Sequence, residues 1–136
     1  MLYAPHFKLR AFDTLSDEAK IAALAQLLEA LAAVNEAWLR ENPTAPWLYE
    51  SGVRYEEEPD LRDDWQDIPE TIALRVGDCE DLGCWRLAEL RTRVREYARP
   101  FVKRSVVGAR TDYHVAVQRA DGRLEDPSRI LGMNSR

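Results

Sequence analysis

The strongest constraint on the fold is a long helical pattern that begins at Ser16 and ends at Asn42-Pro43. Ser16 suits the N-cap position, and Asp17 and Glu18 place negative charge in the first turn, where it favours the helix dipole. Apolar side chains recur at helical spacing, at Ile21, Leu24, Leu28, Leu31, Val34 and Trp38. Asn42 precedes a proline and is therefore pushed out of the helical region. The pattern predicts one long scaffold helix.

A second helical pattern starts after Gly77. Asp78 fits the N-cap position, and Asp81 lies three residues on, as in a capping box. An apolar face follows, made of Leu82, Leu87, Leu90, Val94 and Tyr97. The arginines between them, Arg86, Arg91, Arg93 and Arg95, are expected to face outward. The pattern predicts a helix of about 20 residues that ends near Pro100, with Cys79 in its first turn.

The other parts of the first half carry weaker signals. Residues 1–15, which include His6, are expected to form an arm or strand packed on the body, with His6 a surface or packing histidine. Residues 47–55 predict a short hairpin or a bend. The acidic run over residues 56–67 lacks the alternation of a calcium loop and predicts a solvated loop. Ile68–Leu74 predicts one or two helical turns with Pro69 in the first turn.

The last third is rich in β-branched and aromatic residues and predicts strands over residues 101–108, 113–118 and 123–125. The sequence therefore predicts an α+β fold. It has a long N-terminal helix and a central helix with Cys79 at its N-terminus, packed on a small antiparallel C-terminal sheet. At 136 residues we expect one domain, 1–136, with a helical part over 1–64 and a core over 65–136.

Composition narrows the class of protein. A net charge of −5 argues against a nucleic-acid partner, although residues 91–104 are locally basic. No apolar run approaches the roughly 18 residues needed to span a bilayer, and the N-terminus lacks signal-peptide features. We therefore expect a cytoplasmic protein with reduced thiols and no membrane partner. Cys79 and Cys84 point in different directions on one helix, so neither a disulfide nor a metal site is expected, and Cys84 is interpreted as a core cysteine.

Cys79 is the candidate nucleophile, because a thiol at a helix start lies in the positive end of the dipole. Acyl transfer by cysteine also needs a base and a group that orients the base. His114 is the one histidine on a predicted core strand, and Asp126 lies on the next strand. The carboxylates next to Cys79 oppose thiolate formation, so the helix dipole and His114 must outweigh them.

The register of the C-terminal hairpin tests whether His114 and Asp126 can meet. A two-residue turn would place Asp126 opposite Val117, facing away from His114. A three-residue turn with a left-handed Gly122 would place Asp126 opposite Ala116, on the face of His114 and roughly 7–8 Å from it at Cα. We expect the second register.

Three motifs, Gly-Asp-Cys-Glu-Asp-Leu, Tyr-His-Val-Ala-Val and Asp-Gly-Arg-Leu-Glu-Asp-Pro-Ser, resemble those of the transglutaminase-like (papain-like) cysteine peptidase superfamily, in the small form found in bacteriophages and prophages. The resemblance covers about Trp65 to Met133. It implies a Cys79–His114–Asp126 triad in which Cys79 attacks an amide or ester carbonyl. His114 would move the proton, and Asp126 would fix the imidazole tautomer. The family often has an aromatic residue after the histidine, where this chain has Val115.

An oxyanion hole would use the Cys79 main-chain N–H, with Gln66 or the Trp65 indole as candidate second donor. The expected activity is thiol-dependent acyl transfer on a protein or peptide substrate, with no cofactor, in the host cytoplasm or the virion. The acyl acceptor, water or an amine, stays open. The alternative is a non-enzymatic phage structural or assembly protein, which would have other phage proteins as partners. A metal site around Cys79 and His114 is weaker, because the cysteine spacing matches no zinc pattern.

Overall fold

The computed structural model describes residues 2–3, 5, 7–57 and 64–133. His6 and much of the acidic run lie outside this part. Within it the fold is mixed α+β, with four α-helices, a three-stranded antiparallel sheet and one parallel strand pair. The elements in chain order are α1 Asp17–Glu41, β1 Arg54–Tyr55, α2 Ile68–Leu74, β2 Val76–Gly77, α3 Cys79–Glu89, β3 Arg99–Val107, β4 Arg110–Gln118, β5 Leu124–Glu125 and α4 Pro127–Ile130.

The long helix forms as predicted. Ser16 Oγ accepts the Ala19 N–H at 3.2 Å, and Asn42 is the C-cap. The buried stripe of α1 consists of Leu28, Ala32, Asn35 and Leu39. This stripe packs α1 against α3 and against β3.

α1 is also the one helix in the described ranges whose length and composition would allow it to cross a membrane, with a mean hydropathy of 1.2 over an 18-residue window. The prediction that no stretch comes close to a spanning length is therefore wrong for α1. The finding is weak ground for a membrane location, because core helices of soluble proteins meet the same criterion. Leu28 and Leu39 of α1 are buried inside this fold.

The capping box at the start of α3 is confirmed. Asp78 Oδ1 accepts the Asp81 N–H at 3.3 Å, and Asp81 Oδ2 accepts the Asp78 N–H at 3.1 Å. The predicted length is too great, because a π-helical turn follows α3 and Arg95, at φ 57°, ends it in the left-handed region. Pro100 lies in β3 rather than at the helix end. A proline is tolerated there because β3 is an edge strand.

The arginines of this helix do not all face outward. Arg86 Nε lies 2.6 Å from Glu125 Oε2, and Arg91 Nη1 lies 2.7 Å from Glu29 Oε1. Arg93 donates to the Ala45 carbonyl at 2.6 Å. Their long stems run along apolar surface to reach these partners, which a helical pattern does not reveal. These contacts tie α3 to its neighbours.

Residues 47–55 form a bend, with a 3-10 turn over Leu48–Glu50, and not a hairpin. The strand that follows pairs in parallel with β2, which places Tyr55 opposite Gly77. The described N-terminal residues form a 3-10 turn over Phe12–Thr14 and no strand. Apart from half-buried Phe12, they are exposed. The parallel pair matters most for the site, because Gly77 lies two residues before Cys79.

Candidate active site

The C-terminal hairpin has the register expected from the sequence. Val117 pairs with Glu125, and one further step along both strands places Asp126 opposite Ala116. The turn contains three residues, the last of which is Gly122 at φ 89°. Glycine adopts this left-handed conformation without the steric cost that a side chain carries. The hairpin therefore turns Asp126 to the same side of the sheet as the predicted base.

His114 and Asp126 meet directly. His114 Nε2 lies 2.8 Å from Asp126 Oδ2, and both side chains are about one-fifth exposed. Arg129 holds the same carboxylate, since its Nε lies 3.2 Å from Oδ2 and its N–H donates to Oδ1 at 3.4 Å. The carboxylate is thus fixed by α4 and in turn orients the imidazole. Because Nε2 is engaged, Nδ1 is the ring nitrogen left for a second partner.

Cys79 occupies the first position of α3 and is only 8% exposed. It packs in one buried cluster with Val115, the residue that follows the predicted base in the chain, and the Val115 main chain acts to lower the pKa of the thiol. In the described ranges, no hydrogen bond joins the thiol to the His114 ring. The structure thus joins two of the three predicted residues, His114 and Asp126, and packs Cys79 in a cluster with the residue that follows His114.

The surroundings of the Cys79 sulfur favour its protonated form. Burial raises the pKa of Cys79 far above its ordinary value, and the charge of Glu80 raises it further, as does that of Asp78. Glu80 also accepts a hydrogen bond from the thiol. The Val115 N–H acts in the opposite direction but does not prevail. The helix start alone does not activate this thiol in the unliganded protein.

Trp65 is half-buried and packs against the cluster that contains Cys79, Leu28, Cys84 and Val115. Its side chain therefore lies against the cluster to which the candidate nucleophile belongs. Cys84 is 1% exposed, and its Sγ donates to the Leu28 carbonyl at 3.4 Å. The prediction of a core cysteine is confirmed, and both thiols are free.

Gln66 is engaged in structural hydrogen bonds. Its side-chain amide donates to Thr71 Oγ1 at 3.2 Å and to the Val76 carbonyl at 3.1 Å, while its N–H donates to Asp81 Oδ1 at 2.7 Å. These bonds fasten the segment that carries Trp65 to the start of α3. A role for the Gln66 amide as oxyanion donor stays a prediction, and it would require the two side-chain bonds to break.

Asp81 also stabilises the start of α3. It is 1% exposed, and its two oxygens accept the main-chain N–H groups of Gln66 and Asp78. Burial raises the pKa of Asp81 well above its ordinary value, and the nearby charge of Asp78 adds to the shift. A carboxyl group in such surroundings is stabilised in its neutral form.

The structure adds one residue that the sequence analysis did not single out, Tyr55. Burial raises its pKa to about 12, with further contributions from Glu57 and from Cys79, so the phenol stays neutral. Its position depends on the parallel pairing of β1 with β2, and no local pattern around Tyr55 signals it.

A cleft of about 230 Å³ opens beside the buried cluster that contains Cys79. Its lining consists of Phe12, Leu24, Leu28, Trp65, Glu80, Thr111, Asp112, Tyr113 and Val115. Cys79 does not itself line the cleft, but Glu80 follows it in the chain, and Leu28 and Val115 belong both to the lining and to the cluster. Among the described residues, no group of three or more His, Cys, Asp or Glu side chains could hold a metal ion. Comparison with protein-family models, curated proteins and solved structures gives no match.

Proposed function

We propose that this protein catalyses thiol-dependent acyl transfer on amide bonds, with Cys79 as nucleophile, His114 as base and Asp126 as the group that orients the base. We also propose a transglutaminase-like (papain-like) core for its α+β fold. The observation that carries the proposal is the 2.8 Å contact between His114 Nε2 and Asp126 Oδ2. The proposal is further supported by the packing of Cys79 in one buried cluster with Val115, the residue that follows His114.

The first half-reaction begins from the neutral thiol. As Sγ attacks the substrate carbonyl carbon, the thiol proton passes to Nδ1 of His114, and the S–C bond forms. The imidazolium is stabilised by the Asp126 carboxylate at Nε2. Collapse of the tetrahedral intermediate breaks the C–N bond, and His114 returns the proton to the leaving amine. A thioester on Cys79 and a free amine are the products.

The second half-reaction reverses these steps with a new nucleophile. Water or an amine attacks the thioester while His114 takes its proton, and the thiol of Cys79 is released. Both acceptors are compatible with the proposal.

The tetrahedral oxyanion would be held near the start of α3. The Cys79 N–H is a first-turn donor without an intrahelical partner, as helix geometry dictates. The Trp65 indole, which packs against the thiol cluster, is the favoured second donor. Gln66 is less suited because its amide is already bound to Thr71 and Val76.

Acylation by p-nitrophenyl acetate tests the proposal. We expect intact-mass and peptide-mass analysis to find the acetyl group on Cys79, both in the wild-type protein and in the matched control Cys84→Ala. His114→Ala should slow p-nitrophenol release at least about tenfold, with its fold checked by circular dichroism. If His114→Ala is acylated as fast as the wild type, Cys79 is an ordinary thiol and the proposal fails.

A second candidate is a non-enzymatic structural or assembly protein of phage origin. It is favoured by the buried, protonated state of the thiol and by the lack of a thiol–imidazole hydrogen bond within the described ranges. Under this alternative Cys79 resists acylation in the folded protein. Co-purification of folded Cys79→Ala protein with another phage protein, at wild-type stoichiometry, would support it.

The enzyme proposal also implies a substrate class, partners and a location for the protein. The substrate is a protein or peptide, without a cofactor, and the site of action is the host-cell cytoplasm or the virion. Neither nucleic acid nor membrane is a proposed partner. Fractionation of cells that express a tagged full-length chain tests the location.

A further inference from the structure

The cleft beside Cys79 has the size and lining of a side-chain subsite. Its volume is about 230 Å³. An apolar cavity of about 150 Å³ is known to bind benzene, so this cleft has room for an aromatic ring or a long aliphatic chain. Five of its lining residues have mainly hydrocarbon side chains: Phe12, Leu24, Leu28, Trp65 and Val115.

The polar groups of the cleft limit what can enter it. In the part of the chain that the structure describes, its lining contains no lysine, arginine or histidine, so an acidic side chain would find no cation there. Burial of an unpaired carboxylate is strongly unfavourable. Tyr113 also lines the cleft, and its Oη is buried without a hydrogen-bond partner in the described structure.

The location of the cleft links it to the chemistry. Val115 lines the cleft, and its side chain belongs to the same buried cluster as Cys79. Trp65 also lines the cleft and packs against the cluster that contains Cys79. A peptide whose carbonyl carbon approaches Sγ would therefore carry its adjacent side chain into this cleft.

We propose that the cleft is the subsite for the acyl-side residue of the substrate, and that it selects large apolar or aromatic side chains over glycine and over acidic residues. This inference rests on the proposed function. It names a substrate class: peptide amides with phenylalanine, tyrosine, leucine or methionine on the carbonyl side of the reacting bond.

A panel of aminomethylcoumarin amides of the form acetyl-Ala-Ala-Xaa tests the selectivity with the full-length protein. We expect kcat/KM to be about 10- to 100-fold higher for Xaa = Phe or Leu than for Gly, and lowest for Asp. Thr111→Trp, which fills the rim, should reduce the Phe-to-Gly ratio towards one. Val107→Trp is the matched control, because Val107 is an exposed residue of the same hairpin that does not line the cleft.

A binding measurement separates the subsite from catalysis. In Cys79→Ala protein, N-acetyl-phenylalaninamide at millimolar concentration should shift the Trp65 indole NMR signal, assigned with Trp65→Phe, and N-acetyl-glycinamide should not. Hydrolysis at equal kcat/KM across the panel would overturn the subsite and leave the proposed function standing. If not even one equivalent of aminomethylcoumarin is released per protein while the Phe-specific shift is seen, the function is rejected and the cleft is kept as a binding site. No shift and no selectivity would reject the subsite.

Discussion

His114 Nε2 lies 2.8 Å from Asp126 Oδ2, although His114 is in β4 and Asp126, predicted on the next strand, follows β5 as the N-cap of α4. The three-residue turn that ends in Gly122 sets this contact, because it decides which face of the sheet Asp126 joins. Arg129 binds the same carboxylate from α4. The orientation of the imidazole is therefore fixed independently of the thiol.

Asp126→Asn should slow Cys79 acylation by p-nitrophenyl acetate by about 10- to 1,000-fold, because the amide cannot stabilise an imidazolium at Nε2 as a carboxylate does. The free energy of unfolding in urea should change by less than about 1 kcal/mol, since asparagine is also a good N-cap for α4. Asp121→Asn, in the exposed turn, is the control. An unchanged acylation rate in Asp126→Asn would remove Asp126 from the site.

Glu80→Gln should make Cys79 easier to ionise. The pKa of the thiol is raised first by burial and then by Glu80, so removal of this charge favours the thiolate and shifts the alkylation profile to lower pH. We expect iodoacetamide to react severalfold faster at pH 8. Glu18→Gln is a matched control, because Glu18 holds the same second position in α1 that Glu80 holds in α3. Equal rates in all three proteins would contradict the electrostatic account.

Asp81→Asn should change how stability depends on pH. Because burial raises the pKa of Asp81 in the folded state, the folded protein binds more protons than the unfolded chain above about pH 4. The contribution of Asp81 is thus present at low pH and is lost as pH rises towards the folded-state pKa. Urea unfolding at pH 5 and pH 8 should show the variant gaining at least about 1 kcal/mol relative to wild type over this interval. A parallel pH dependence in both proteins would refute the raised pKa.

Gly83→Ala should disturb the contact between α3 and β4. A Cβ at this position would lie 3.0 Å from Val115 Cγ1, and the branched side chain of Val115 has little freedom to move. The clash should exceed the gain in helix propensity and lower the free energy of unfolding by about 1 kcal/mol. It should also slow acylation of Cys79, which packs with Val115 in one buried cluster.

The double variant Gly83→Ala with Val115→Ala provides the control for that prediction. Removal of the valine methyl groups relieves the clash, so the two substitutions should couple in a double-mutant cycle. Strict additivity would mean that the contact does not limit the packing of α3 on β4.

Several features were predictable because local chemistry decides them. Ser16, Asp78 and Gly122 each act within three residues of their own position, through a cap or a turn. The end of the π-helical turn that follows α3 was missed. Arg95 ends it in a left-handed conformation, and no glycine or asparagine signals this in the sequence. The pairing of Tyr55 with Gly77 was also missed, since parallel pairing joins distant segments without a local pattern.

The sequence by itself determined the α+β class, the two main helices and a hairpin register that joins His114 to Asp126, because capping, periodicity and turn geometry are short-range properties. Only the tertiary structure decided the state of Cys79. Burial raises the pKa of its thiol more than any other influence, and that burial comes from packing with Leu28, Cys84 and Val115 on distant segments. The same packing decided that a cleft, and not a solid core, lies beside the thiol.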